Sequence, residues 1–101
     1  MKFRKKPITV EAVQFSEDLL WWFILEDKPL PEGMWHEKSS YNTQNRKLHY
    51  YNVWFGPKNN TFESIPVFFS DWIVYEPEPD GTKVYIDEYF KSIYEPIVEI
   101  F

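Results

Sequence analysis

The stretch FSDWIVYEPEPDGTKVYIDEYFKSIYEP, residues 69–96, limits what this chain can become more than any other. Apolar residues from Asp71 to Tyr75 read as a strand, and Lys83 to Ile86 as a second one. Between them, Asp80-Gly81 takes up the positive φ of a tight reversal at low cost, while Pro77 and Pro79 stiffen the chain leading into it. Asp87 stands where it would accept bonds from the free N–H groups opening a short helix, and Glu88 suits the positive end of the helix dipole. Strand, turn, strand, helix is a scaffold. It carries no chemistry of its own.

Upstream, ITVEAVQF (8–15) alternates with a period of two and predicts a strand. Ser16 follows as an N-cap, with Glu17 and Asp18 in the first turn of a helix running through Leu19–Leu25 to about Asp27. Adjacent Trp21 and Trp22 point to different sides of such a helix, so one enters the core and the other borders solvent or another segment. A strand is the rival reading of WWFIL, since aromatics and Ile favour sheets. KPLPEG (28–33) is a loop, because two prolines and a glycine interrupt regular structure.

Met34 to Ser40 predicts a strand with Trp35 inward, and the polar run SSYNTQN a hairpin loop. RKLHYYNVWF (46–55) is the clearest middle strand. Simple alternation puts Leu48, Tyr50, Asn52 and Trp54 on one face, and Lys47, His49, Tyr51, Val53 and Phe55 on the other. Residues 56–60 turn, Phe62 to Phe68 extends again with Pro66 marking an edge or bulge, and Ile97 to Phe101 is a last extended segment that would pair with the first strand. The whole of residues 1–101 reads as one α+β domain: a small twisted, mostly antiparallel sheet with one main helix and a short C-terminal helix.

Composition bears on function by exclusion. A net charge of −5 disfavours nonspecific nucleic-acid binding, which needs clustered Lys and Arg. No apolar run approaches the ~20 residues that span a bilayer, and none follows the basic MKFRKKP as a secretory signal requires, so a soluble cytoplasmic protein is expected. Without cysteine there is no disulfide or thiolate chemistry. Five Trp, seven Tyr and nine Phe are more large rings than a 101-residue domain can bury, which points to a binding surface or a homodimer interface.

Residues able to carry chemistry are sparse. His36 and His49 stand without the spacing of a metal motif, and no nucleophile elbow, Walker loop or dinucleotide fingerprint occurs, so neither catalysis nor a cofactor nor a metal is expected. Glu76, Glu78 and Asp80 fall in a turn, where acids face solvent. Asp71 suits a backbone bond at the start of its strand. The middle strand is richer: Arg46, Lys47, His49, Tyr50, Tyr51 and Trp54 interleave cations with rings. Such a face stacks a base and neutralises a phosphate, or anchors a protein partner, or is simply a strand with a decorated outer face. The N-terminal cluster of Lys2, Arg4, Lys5 and Lys6 reads either as a solvated terminus or as an anion-binding lip or partner contact.

Both ends of the chain resemble a family of small proteins common in bacteriophages and prophages. Its members open with a run similar to MKFRKKPITVEAVQF and close with a PGDYG-type motif, then strand, turn, strand and a tyrosine-rich helix. The similarity covers about residues 1–15 and 69–97, with Phe69-Ser70 standing where the motif has Pro-Gly, and does not extend to the middle. It implies a small α+β domain of phage origin and supplies no catalytic residues. A non-enzymatic accessory protein is therefore expected, acting in the host cytoplasm by binding a host protein of an anti-phage defence system. Sequestration of a small nucleotide signal, with Arg46, Lys47 or the N-terminal Arg4, Lys5 and Lys6 on phosphates and Tyr50 or Trp54 on the base, is one alternative. A virion-assembly or structural role is another.

Overall fold

A computed structural model describes residues 10–76 and 81–95. Within them the chain forms β1 (Glu11–Gln14), α1 (Glu17–Glu26), β2 (Met34–Asn42), β3 (Lys47–Phe55), β4 (Ile65–Pro66), β5 (Trp72–Tyr75), β6 (Thr82–Tyr85) and α2 (Asp87–Ile93). The class is α+β, with one main helix and a short C-terminal one. Its strands divide between two antiparallel three-stranded sheets, ordered β1-β5-β6 and β2-β3-β4. The expected C-terminal strand, the Arg4, Lys5 and Lys6 cluster and the Pro77–Asp80 part of the reversal lie outside the described residues. Gly81 does take a positive φ of 71°.

α1 starts where its cap dictates: Ser16 Oγ accepts from the Leu19 N–H at 3.2 Å, and Asp27 closes the helix in the left-handed region at φ 54°. The adjacent tryptophans split, Trp21 being 4% exposed and Trp22 43%. Trp21 packs edge-on against Tyr41 of β2, and Lys28 lies over the outer ring of Trp22.

Phe15, Leu20, Val53, Val67 and Ile73 form one buried cluster drawn from α1, both sheets and their connections. Two unpaired residues shape the β2–β3 ladder that supplies it. Glu37 stands between the His36–Val53 and Lys38–Asn52 pairs, and His49 between Tyr50–Ser40 and Leu48–Tyr41. The extra residue at His49 resets the alternation. Leu48 consequently joins Tyr51, Val53 and Phe55 at the core instead of sharing a face with Tyr50 and Trp54.

The expected strand over 62–68 contracts to Ile65–Pro66. Asn60 Oδ1 accepts the N–H groups of both Phe62 and Glu63 at 3.1 Å, holding residues 61–63 in a turn. Pro66, without a donor, sits in the edge strand as its chemistry requires.

Before β5, the Asp71 N–H donates to Phe68 O at 3.0 Å and Ser70 takes φ 79°, as in a type II turn. Asp71 does bond backbone there, its Oδ2 accepting from the Phe68 N–H. Asp87 corrects its expectation: the N-cap position belongs to Ile86, and the Asp87 carboxylate accepts instead from Trp72 Nε1 at 2.8 Å and Gln14 Nε2 at 3.3 Å. It thereby ties α2 to β5 and β1. No helix of the described residues is long and apolar enough to cross a membrane.

Candidate functional site

The residues singled out on the middle strand do not converge. Arg46 lies in the hairpin turn at φ 52°, and Lys47, His49 and Tyr50 follow it, all exposed. Trp54 is eight residues further on, roughly 27 Å along an extended strand from Arg46, and Tyr50 is roughly 13 Å from Trp54. One nucleotide does not bridge a phosphate contact at Arg46 and a stack on Trp54.

Two of the rings are also engaged internally. Tyr51 turns into the core, stacked on Phe69 at 4.2 Å and edge-on to Phe15, with its hydroxyl accepting the Phe69 N–H at 3.0 Å. Burial raises the Tyr51 pKa. Tyr51 therefore has a packing role, its ring remaining partly exposed. Trp54 is half-buried, stacked on Trp35 at 6.0 Å, and donates to Glu37 Oε2. Tyr50 is 49% exposed. His36 packs edge-on to Phe23 within hydrogen-bond distance of Ser39 Oγ, and burial lowers its pKa. Among the described residues, no group of three His, Asp or Glu side chains comes together as metal ligands.

Glu76 also departs from expectation. Rather than facing solvent, its side chain is only 11% exposed and accepts from Tyr85 Oη at 2.8 Å and Tyr94 Oη at 2.6 Å. Those two bonds hold its carboxyl below the ordinary range. The carboxylate fastens the end of α2 to the sheet and is committed to that task.

The two most exposed rings among the described residues lie elsewhere. Phe62 is 99% exposed, Phe68 59% and Ile65 49%, all within the segment 62–68. This segment is held at several points. Ser64, itself buried, accepts from Trp35 Nε1 at 3.2 Å and donates to Pro57 O at 3.1 Å. Gly56 approaches Ser64 so closely that an added Cβ would stand 2.9 Å from the Ser64 Cα. At the tip, the Asn60 carboxamide fixes the turn that carries Phe62. A bare aromatic ring is presented on a braced loop beside an edge strand. Period-two reading hides this, because it sends alternate residues of 62–68 inward. The signal available was Asn59-Asn60-Thr61, a turn-forming run directly before the ring.

Comparison of the chain with protein-family models, curated proteins and solved structures finds no match.

Proposed function

We propose that this chain is a non-enzymatic accessory protein that acts by binding another protein, with Phe62 and Phe68 as its anchors. One observation carries the reading: a phenylalanine wholly in water on a loop whose backbone is already fixed. Burying such a ring is worth roughly 1.5–3 kcal/mol. A braced loop spares most of the ordering cost that a flexible one incurs on docking. Aromatic anchors of this kind dominate the energetics of protein interfaces.

The proposed partner rests on the resemblance noted at the ends of the chain. Their similarity to small phage proteins supports a phage origin, a host protein as target, the host cytoplasm as the place, and interference with a defence system as the purpose. Sequestration of a nucleotide is the weaker reading, since Arg46 and Trp54 stand far apart. The experiment is affinity capture from bacterial lysate, with mass spectrometry of retained proteins and of extracted small molecules. A stoichiometric protein partner is the expected result. A bound nucleotide without a protein partner would transfer the assignment to Tyr50 and Trp54, and neither would favour the virion-assembly role.

A further inference from the structure

A second surface lies on different residues and goes beyond the reading above. β1 pairs with β5 so that Glu11 faces Tyr75, and Val13 follows two residues along on the same side. Leu19 of α1 and the loop Pro29-Leu30-Pro31-Glu32 rise beside them. Together they enclose an open groove of about 410 Å³. The loop keeps its shape for local reasons: two prolines restrict it, and Tyr75 Oη donates to Glu32 O at 3.0 Å.

The chemistry of the groove is lopsided. Val13, Leu19 and Leu30 give it an apolar floor, whereas its charged residues, Glu11 and Glu32, are both acidic. Among the described residues neither carboxylate has an ion-pair partner, although Glu26, Glu76 and Asp87 each have one. Burial, then the charges of Glu32 and Glu11, raise the Tyr75 pKa. An apolar bed under two unpaired carboxylates suits a cationic side chain on a hydrocarbon stem next to an apolar neighbour. The net charge of −5 attracts such a ligand from a distance. We propose that this groove binds a basic peptide segment of a partner protein, with an apolar side chain on Val13, Leu19 and Leu30 and a flanking Arg or Lys between Glu11 and Glu32.

The test is fluorescence anisotropy of the full chain with a labelled, end-capped peptide Gly-Arg-Leu-Arg-Gly at low salt. We expect saturable binding, weakened about tenfold in the double variant Glu11→Gln, Glu32→Gln, since two exposed ion pairs are lost. Leu30→Ser should weaken it as well, while Glu63→Gln on the other loop should leave it unchanged. Absence of saturable binding, or equal binding by the double variant, overturns the proposal. So does equal affinity for Gly-Arg-Ser-Arg-Gly, which would reduce the effect to bulk charge. If binding emerges only when Lys2, Arg4, Lys5 and Lys6 are all replaced by Gln, the chain's own N-terminal segment is the occupant and the partner is excluded. None of these outcomes depends on Phe62 or Phe68, so this proposal and the aromatic-loop reading fail separately.

Discussion

Ser70 holds φ 79°, a left-handed conformation that L side chains resist. Position i+2 of a type II turn prefers Gly, and position i+1 prefers Pro. Ser70→Gly is therefore expected to stabilise the protein by roughly 0.5–1 kcal/mol in urea denaturation. A lowered midpoint would contradict the strain. Phe69 is different, because a proline there would lose both the N–H donated to Tyr51 and the ring stacked on it. Phe69→Pro should destabilise despite suiting the turn. His36 makes a pH prediction. Burial depresses its pKa below the ordinary 6.5, so the native state favours the neutral ring and the unfolded chain takes up the proton first. Its contribution is present above pH 6.5 and is lost as pH falls through the folded value. Thermal melts across that range should decline in the parent and flatten in His36→Gln.

Among the elements, α2 depends most on its surroundings. Its seven residues are too few to persist as an isolated helix. The Trp72–Phe90 stack at 4.1 Å and the Asp87–Trp72 bond hold it in place. Asp87→Ala should speed amide exchange at Phe90 and Tyr94, whose N–H groups bond within the helix, while Val53 and Ile73 stay protected. Unchanged exchange would mean that the ring stack and the Tyr94–Glu76 bond suffice without the Asp87 tie. Hydrogen bonds from Trp72 hold the Asp87 carboxyl below the carboxylate range, as those from Tyr94 and Tyr85 hold Glu76. Both contributions are present above the unfolded values and are lost as pH falls through the folded ones, so acid should loosen α2. Where a local rule governs an element, it was legible in the sequence: the Ser16 cap, the prolines around Leu30 and the split of Trp21 from Trp22. The partners of Asp87 were not, because Trp72 and Gln14 reach it only through tertiary packing. The unpaired Glu37 and His49 were equally hidden, since alternation alone does not register an extra residue in a ladder.

At the scale of the whole molecule, one buried cluster joins both sheets to α1. Ile73→Ala should cost about 2–5 kcal/mol, a large share of the typical 5–15 kcal/mol of a domain. Signals from Trp35 in one sheet and Trp72 in the other should then be lost together; separate transitions would divide the core. The α+β class was readable from strand and cap patterns, and the surplus of rings foretold an exposed surface. Its location was not readable, because the exposure of Phe62 comes from Asn60, Ser64 and Gly56 bracing a loop against Trp35. With the ring 99% exposed, truncating it should change stability by no more than about 0.5 kcal/mol. The most direct measurement is therefore paired lysate capture with the parent and with Phe62→Ala, Phe68→Ala, after their melting temperatures have been compared. We expect near-equal melting for Phe62→Ala alone, a modest loss from Phe68→Ala, whose ring is 59% exposed, and loss of the retained partner from the double variant while it is still folded. Retention of the same partner by both would contradict the aromatic loop as the binding surface.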